Sequence, residues 1–149
     1  MYEGYDVMPP KEKIPEAYTA VIDNRVIVDG NTALVKSSDL KKNYTVIWND
    51  DNLFYSNDNA TYWAKYIGYP VIAVLMVIGK LPYSKDIAKY FSKVNWNELN
   101  KKNKRDYQKS VEEVIKSVDN KSIIYEEIDR VYKQLESLNI KLTRKKFEV

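Results

Sequence analysis

The chain has 149 residues, 44% of them hydrophobic, which is enough for one globular domain with a buried core. It contains no cysteine and no histidine, which excludes disulfide scaffolds, zinc fingers, thiolate chemistry and the usual serine or cysteine triads. The net charge of +3 is unevenly divided: residues 1–79 carry 7 basic and 10 acidic side chains, and residues 80–149 carry 17 basic and 11 acidic ones. The positive field therefore belongs to the C-terminal half.

The first 56 residues are predicted to be extended and β-structured. Residues 1–17 contain three prolines and charges of both signs, which indicates an extended lead-in. Residues 18–56 hold β-rich runs separated by short polar turns, beginning with a strand over 18–22. Asp29-Gly30 is typical of a type I′ hairpin turn, which needs positive φ at both positions. Connections this short favour an antiparallel meander of three to five strands.

Two further strands are predicted over 44–48 and 53–55. Alternation along the first sends Tyr44, Val46 and Trp48 to one face. With Phe54 and Tyr55, such a face could stack bases, as in single-strand binders, or cover the helices that follow. The acidic character of this half of the chain argues against a nucleic-acid surface there.

From Asp58 onward the period of the sequence becomes helical. Asp58 or Asn59 can cap a helix that ends at Gly68 and carries four residues on one face: Tyr62, Trp63, Tyr66 and Ile67.

The segment from Val71 to Ile78 is apolar at every position, a pattern that fits a buried strand or a buried helix. Pro70 before it and Gly79 after it favour the helix. We expect this segment to be the centre of one core that joins both halves of the chain. The other side chains that we expect in that core are Trp48, Trp63 and Phe91.

The last third is predicted to be helical. Ser84 can cap a short helix, and Asn95 with Glu98 resembles a capping box. Two apolar stripes at helical spacing follow, one of Tyr107, Val111, Val114 and Val118 and the other of Ile124, Ile128, Val131, Leu135 and Leu138. The short polar connector over 119–122, with Ser122 as a cap, predicts that the two helices fold into an antiparallel hairpin. Asn139 suits the left-handed position after the second helix.

The order of these elements from Val71 to Leu99 is apolar helix, short helix, tight turn and second helix. Ala88 would let a neighbouring helix approach, Val94 would pack inside the turn, and Leu99 would anchor the second helix. This segment resembles the helix-turn-helix of DNA-binding domains, in which the second helix enters the major groove. It departs from that pattern because Ser92 stands where the turn glycine is usual and Lys93 resembles a one-residue insertion.

The resemblance implies a nucleic-acid surface on residues 95–105. Four residues would face the groove: Trp96, Asn97, Asn100 and Lys101. Three would meet phosphates, so that affinity falls as salt rises: Lys102, Lys104 and Arg105. The competing interpretation is that these helices pack in a bundle and that the lysines only keep it soluble.

A second basic cluster follows the last predicted helix, over residues 141–149, and comprises Lys141, Arg144, Lys145 and Lys146. It could be an arm on nucleic acid or a solvated, frayed terminus.

Catalysis finds little support. Asp50 and Asp51 are adjacent in a turn, so their side chains diverge, whereas paired acid–base work needs two carboxylates facing one substrate. We expect no catalytic residues, no metal and no cofactor. The longest uncharged run, over 66–79, is too short to cross a bilayer, and no signal peptide precedes it, which predicts a cytoplasmic protein without membrane contact.

The sequence thus predicts an α+β domain over 18–149, with a β portion over 18–56, a helical portion of four to six helices over 58–140 and a basic tail. The leading function is a small non-enzymatic DNA-binding protein that uses a helix-turn-helix-like segment over about 71–105. The alternative is a protein-interaction or structural module whose C-terminal helical hairpin docks a partner or a second copy of the chain.

Overall fold

The computed structural model describes residues 6–149, which form an α+β fold. Five strands make one sheet in chain order: β1 (Val26–Asp29), β2 (Thr32–Lys36), β3 (Asn43–Trp48), β4 (Leu53–Ser56) and β5 (Lys141–Thr143). The first four strands pair antiparallel, whereas β5 pairs in parallel with β4. The predicted meander is therefore confirmed for four strands, and the fifth comes from the other end of the chain.

The described residues also form six α-helices, a π-helical turn over Ala60–Ala64 and a 3₁₀ turn over Lys89–Phe91, somewhat more helical elements than predicted. The α-helices are α1 (Lys13–Ile22), α2 (Tyr69–Val77), α3 (Lys85–Ala88), α4 (Trp96–Lys102), α5 (Tyr107–Ile115) and α6 (Lys121–Ser137).

Helix α2 lies at the centre of the core. Every residue from Pro70 to Met76 is buried, and α2 contacts α1 as well as strands β1, β3 and β4. Each large apolar side chain placed there gains about 1.5–3 kcal/mol by leaving water. Gly79, with φ +83°, follows the helix in the left-handed conformation that usually ends one. The helical interpretation of the apolar segment is thus correct, and the segment is the centre of the core as expected.

The sheet has one buried and one more exposed face. Val46 and Phe54 are fully buried on the inner face, whereas Ile27 and Leu34, which are register partners, are exposed on the outer face. The predicted hairpin is present, but its two turn residues are Gly30 and Asn31, and Asp29 pairs with Thr32. Only the glycine has positive φ in this turn, so type I′ is not formed.

Helix α1 replaces both the end of the predicted lead-in and the strand predicted over 18–22. Pro15 stands in the first turn of α1, where a missing N–H breaks no helical hydrogen bond. Residues 13–20 are all buried, including Lys13, Glu16 and Thr19, whose spacing of three residues places them on one face of the helix. The part of the predicted lead-in over 1–5 lies outside the described residues.

The expected helix after Asp58 is only a π-helical turn, and it ends at Lys65, which has φ +64°. The wider turn buries Thr61 and leaves Trp63 66% exposed, so the expectation that Trp63 is a core residue was wrong. Trp48 and Phe91 are buried as expected. Gly68 does not end this turn but precedes α2 with an ordinary φ of −78°.

The antiparallel hairpin of α5 and α6 is not confirmed. The residues of both stripes are largely buried, but α5 packs against α4 and the 3₁₀ turn, whereas α6 packs against α1. The chain does not end there either: Asn139, with φ +52°, redirects it into β5, where a basic tail was predicted. Asn52 holds this connection, since its side chain donates to the Leu138 carbonyl (3.0 Å) and its own carbonyl accepts the Lys141 N–H (2.9 Å).

Replacing Gly68 by alanine should destabilise the protein because Asp58 lies too close to the position of the added Cβ. The backbone angles of Gly68 are ordinary and are not the reason. An added Cβ would lie 2.1 Å from Asp58 Oδ2, which is buried and hydrogen-bonded. We expect Gly68→Ala to lower the free energy of unfolding by about 3 kcal/mol, measured by chemical denaturation. Gly30→Ala is the matched control, because it adds only left-handed strain of about 1 kcal/mol in open space. A loss at Gly68 no larger than that at Gly30 would contradict this account.

Candidate functional site

Helix α4 begins as the sequence predicts. The Asn95 side chain accepts the N–H of Glu98 (3.2 Å), and the Ser84 hydroxyl accepts the N–H of Ile87 at the start of α3 (3.3 Å). Between the 3₁₀ turn and α4, Ser92 is extended and Lys93 is left-handed, with φ +60°. Both carboxylate oxygens of Asp23 accept the Lys93 N–H at 3.0 Å, which ties this turn to the end of α1.

Trp96 does not lie on the surface, where the sequence placed it. It is 3% exposed, and its ring centroid lies 6.2 Å from that of Phe91. Its indole N–H donates to Thr19 Oγ1 (2.8 Å), and this hydroxyl donates to the Phe91 carbonyl (2.6 Å). A large ring needs an apolar neighbour and a partner for its N–H. The 3₁₀ turn supplies the first through Phe91, and α1 supplies the second through Thr19. Trp96 therefore anchors α4 in the core and faces no groove.

The other residues predicted to contact DNA differ in how exposed they are and in whether they already have partners. Asn97 is exposed, although its backbone N–H donates to Ser38 Oγ (3.3 Å) in the β2–β3 loop. Asn100 is half-buried, and its Oδ1 is buried without a hydrogen-bond partner in the described part of the chain. Lys102 is exposed but forms an ion pair with Glu113 (2.9 Å), which also lowers the pKa of that carboxyl.

Three cations therefore remain at the end of α4: Lys101, Lys104 and Arg105. All three are exposed, and none belongs to an ion pair within residues 6–149. Lys104 and Arg105 are consecutive left-handed residues, with φ +54° and +64°, a conformation that costs about 1–2 kcal/mol for each residue. The Arg105 N–H donates to the Asn100 carbonyl (2.7 Å), which holds this turn against the helix. The arrangement gathers positive charge at a helix C-terminus, where the helix dipole favours it.

A pocket of about 510 Å³ lies beside the start of α4. It is formed by the end of α1, the β2–β3 loop and the turn before α4, and its polar lining includes Asp23, Arg25, Ser38 and Lys93. The Asp23 carboxylate is already engaged by the backbone of Lys93.

Four ionisable side chains are almost fully buried: Lys13, Glu16, Arg25 and Asp58. Of these, only Asp58 has a role predicted from the sequence, as a helix cap. Lys13 Nζ lies 3.3 Å from Glu16 Oε2 and 4.4 Å from the ring centroid of Tyr107. Burial raises the pKa of the Glu16 carboxyl, and the nearby ammonium only partly opposes this. The spacing of three residues between Lys13 and Glu16 is a helical signal, but the neighbouring prolines favour an extended segment and outweigh it in the sequence.

The side chains of Asp58 and Arg25 form hydrogen bonds to neighbouring groups of the fold. Burial raises the pKa of Asp58, although its oxygens accept the Thr61 N–H (3.1 Å) and the Ser56 hydroxyl. Arg25 Nη1 donates to the Lys36 carbonyl, whereas Nη2 is buried without a partner among the described residues. Carboxyls with raised pKa often mark active sites, but here each carboxylate is bound within the scaffold.

A cation–π contact joins the π-helical turn to the residue that follows β5. The rings of Tyr62 and Trp63 meet edge to face at 4.9 Å, and Arg144 Cζ lies 4.9 and 5.0 Å from their centroids. The second basic cluster is thus partly ordered: Lys141 opens β5, and Arg144 packs on aromatic rings.

The comparisons with known proteins give a family but no function. The chain matches, over residues 6–141, the family described as "Uncharacterised conserved protein UCP014422", and it belongs to that family. No curated protein and no solved structure matches the chain. Within residues 6–149, no helix has the length and apolar character needed to cross a membrane. The same residues contain no group of three or more acidic side chains placed to hold a metal ion.

The anchor of α4 can be tested with a double-mutant cycle on Thr19 and Trp96. Thr19→Val keeps the shape of the side chain but leaves the buried indole N–H unpaired, so we expect a loss of about 1–3 kcal/mol in the free energy of unfolding. Trp96→Phe alone removes the donor and some packing. In Thr19→Val/Trp96→Phe, both partners are apolar, and the combined loss should be smaller than the sum of the single losses. Strict additivity, measured by chemical denaturation, would show that the hydrogen bond does not couple the two residues.

The buried Glu16 should make stability depend on pH. Its pKa is raised above 4.5 in the folded protein, so the stability contributed by the protonated form is complete below that value and is lost as pH rises through the raised pKa. Glu16→Gln cannot undergo this loss. We therefore expect the free energy of unfolding of Glu16→Gln to rise relative to that of wild type as pH increases above 4.5.

The matched control for this measurement is Glu126→Gln, because Glu126 is exposed on α6. Because the Glu126 side chain stays in water, we expect the pH dependence of this control difference to be smaller than that of Glu16→Gln. If the free energy of unfolding of Glu16→Gln instead fell relative to that of wild type as pH rises, burial would not raise the pKa of Glu16, and this account would be wrong.

Proposed function

We propose that the chain is a small non-enzymatic DNA-binding protein that contacts duplex DNA through the C-terminal end of α4 and the turn after it. The observation that carries this proposal is the group of three exposed cations, Lys101, Lys104 and Arg105, outside any ion pair of the described residues. Cations of this kind bind phosphates by releasing condensed counterions, which supplies most of non-specific affinity. Catalysis has no comparable support, since Glu16 and Asp58 are buried and bound within the scaffold.

The rigid anchoring of α4 supports the same proposal. Trp96 fixes the first turn of the helix in the core, so the exposed side chains project from a helix whose position is set. Asn97 and Lys101 are four residues apart and therefore lie on one face of α4. An asparagine amide can pair with the edge of adenine, and a lysine on the same face can reach guanine or a phosphate. Of the seven residues predicted from the sequence, the proposal keeps four: Asn97, Lys101, Lys104 and Arg105. It drops Trp96, which is buried, Asn100, which is half-buried, and Lys102, which is paired with Glu113.

The alternative function, a module that docks a partner through an apolar stripe on α5 or α6, has weaker support. The residues that would form that stripe are largely buried in the core of the same chain, among them Val111, Ile124, Ile128 and Val131. They are not available to a second protein without unfolding part of this one.

The proposal is tested by electrophoretic mobility shift on a mixed-sequence duplex at 50 and 200 mM salt. We expect wild type to shift the duplex at micromolar concentration in low salt and to bind more weakly in high salt. Lys101→Ala/Lys104→Ala/Arg105→Ala removes three phosphate contacts, so the slope of log K against log salt should fall by about 2.7, at about 0.9 for each contact. Affinity at 50 mM salt should fall by at least about tenfold.

The matched control removes the same number of exposed charges elsewhere, as Lys116→Ala/Lys121→Ala/Lys133→Ala. Its binding should stay close to that of wild type. Two results would refute the proposal: unchanged migration of the duplex at both salt concentrations, or an equal loss in the control variant.

A further inference from the structure

Trp63 is the exception among the three tryptophans of the chain. Trp48 and Trp96 are 5% and 3% exposed, whereas Trp63 is 66% exposed. Tryptophan is a highly buried residue on average, because its large ring gains much free energy by leaving water. An indole held in solvent is therefore an observation that requires a reason.

The backbone around Trp63 is anchored on both sides. The Thr61 N–H donates to the buried Asp58 carboxylate, and the Thr61 hydroxyl accepts the Gly68 N–H (3.0 Å). Thr61 itself is fully buried. Because these bonds fix the π-helical turn from inside, the exposure of Trp63 is imposed by the fold and does not result from a loose segment.

One cation lies against the exposed ring, and two more follow it in the sequence. We define the Trp63 patch as Tyr62, Trp63, Arg144, Lys145 and Lys146. The Arg144 guanidinium lies over both aromatic rings, and Lys145 and Lys146 follow it along the chain and are exposed. With Arg144 in place, two thirds of the Trp63 surface is still open to solvent.

We infer that the Trp63 patch binds single-stranded nucleic acid. An exposed indole stacks on the face of any base, a planar guanidinium beside it adds a second stacking surface, and neighbouring lysines hold the phosphates. A duplex cannot bind in this way, because its base faces are already stacked on each other. The Trp63 patch shares no residue with the end of α4, so this inference does not depend on the duplex-binding proposal.

Charge disfavours the other occupant that an exposed aromatic patch suggests, a second copy of the chain. A two-fold interface brings the same patch together from both copies. Three cations of one copy, Arg144, Lys145 and Lys146, would then face the same three cations of the other, and like charges at an interface are repulsive. A polyanion meets the same cations with complementary charge.

The test uses the intrinsic fluorescence of the full chain, because Trp63 is the only tryptophan of the three that an added solute can reach. Titration with the 12-mers of deoxythymidylate and of uridylate at 50 mM salt should quench part of the emission and reach saturation. Trp63→Phe should abolish the quenching. Fluorescence anisotropy of labelled 12-mers should show binding at least about tenfold weaker for Trp63→Ala, the loss expected for one stacked base.

A second variant keeps the test decisive if Trp63→Ala unfolds. Lys145→Ala/Lys146→Ala alters only exposed side chains and should weaken binding of the 12-mers and reduce its salt dependence. Lys116→Ala/Lys121→Ala/Lys133→Ala removes exposed charges elsewhere on the chain and should bind the 12-mers as wild type does, which separates the Trp63 patch from a general effect of charge. Duplex DNA should not quench Trp63.

Three results would overturn the inference. One is quenching of Trp63 by acrylamide without quenching by either 12-mer at 100 times the protein concentration. The second is binding of the 12-mers by Trp63→Ala with wild-type affinity. The third is a dimer in analytical ultracentrifugation that Trp63→Ala dissociates, which would assign the Trp63 patch to self-association.

Discussion

The architecture of this protein depends on one helix that has no polar face. Because α2 is apolar all round, it is stable only if other elements cover it on every side. Helix α1 covers one side and the sheet covers another. The N-terminal segment contributes the buried helix α1, and the β portion packs its inner face on the same centre. The remaining helices extend this core and leave the sheet with one open face.

The anchoring of α4 shows how a polar contact within this core positions a charged surface. Thr19 in α1, Phe91 in the 3₁₀ turn and Trp96 in α4 are linked by two short hydrogen bonds in a buried site. The buried first turn holds the helix, so that its last turn and the strained residues after it carry the exposed cations. Strain of this kind persists only where the surrounding structure determines the backbone.

The buried carboxylates have a comparable role in the scaffold. Asp58 holds the π-helical turn through Thr61, and Gly68 approaches it too closely for any side chain. Removing the Asp58 carboxylate from water is unfavourable. Its hydrogen bonds offset part of this cost and hold the π-helical turn, from which Trp63 projects into solvent. The two proposed surfaces are therefore both products of buried polar contacts, one at Thr19 and one at Asp58, and they lie on different elements.

The sequence by itself determined what short-range interactions decide. The α+β class, strands β1 to β4, the caps at Ser84 and Asn95 and the central helix α2 all follow from hydrogen bonds or apolar patterns within a few residues. The exposed charges of Lys101, Lys104 and Arg105 could also be predicted, since charged side chains are seldom buried.

Only the tertiary structure decided which partner each segment meets. An apolar stripe shows that a helix buries one face but not against what, and so α6 could be recognised while its packing on α1 could not. Strand β5 depends on register with residues almost 90 positions earlier in the chain. Trp96 and Trp63 are the same residue type in helical contexts, yet one is buried and the other exposed. Their surroundings are built from segments distant in sequence, and the free energy of burying a ring depends on those surroundings.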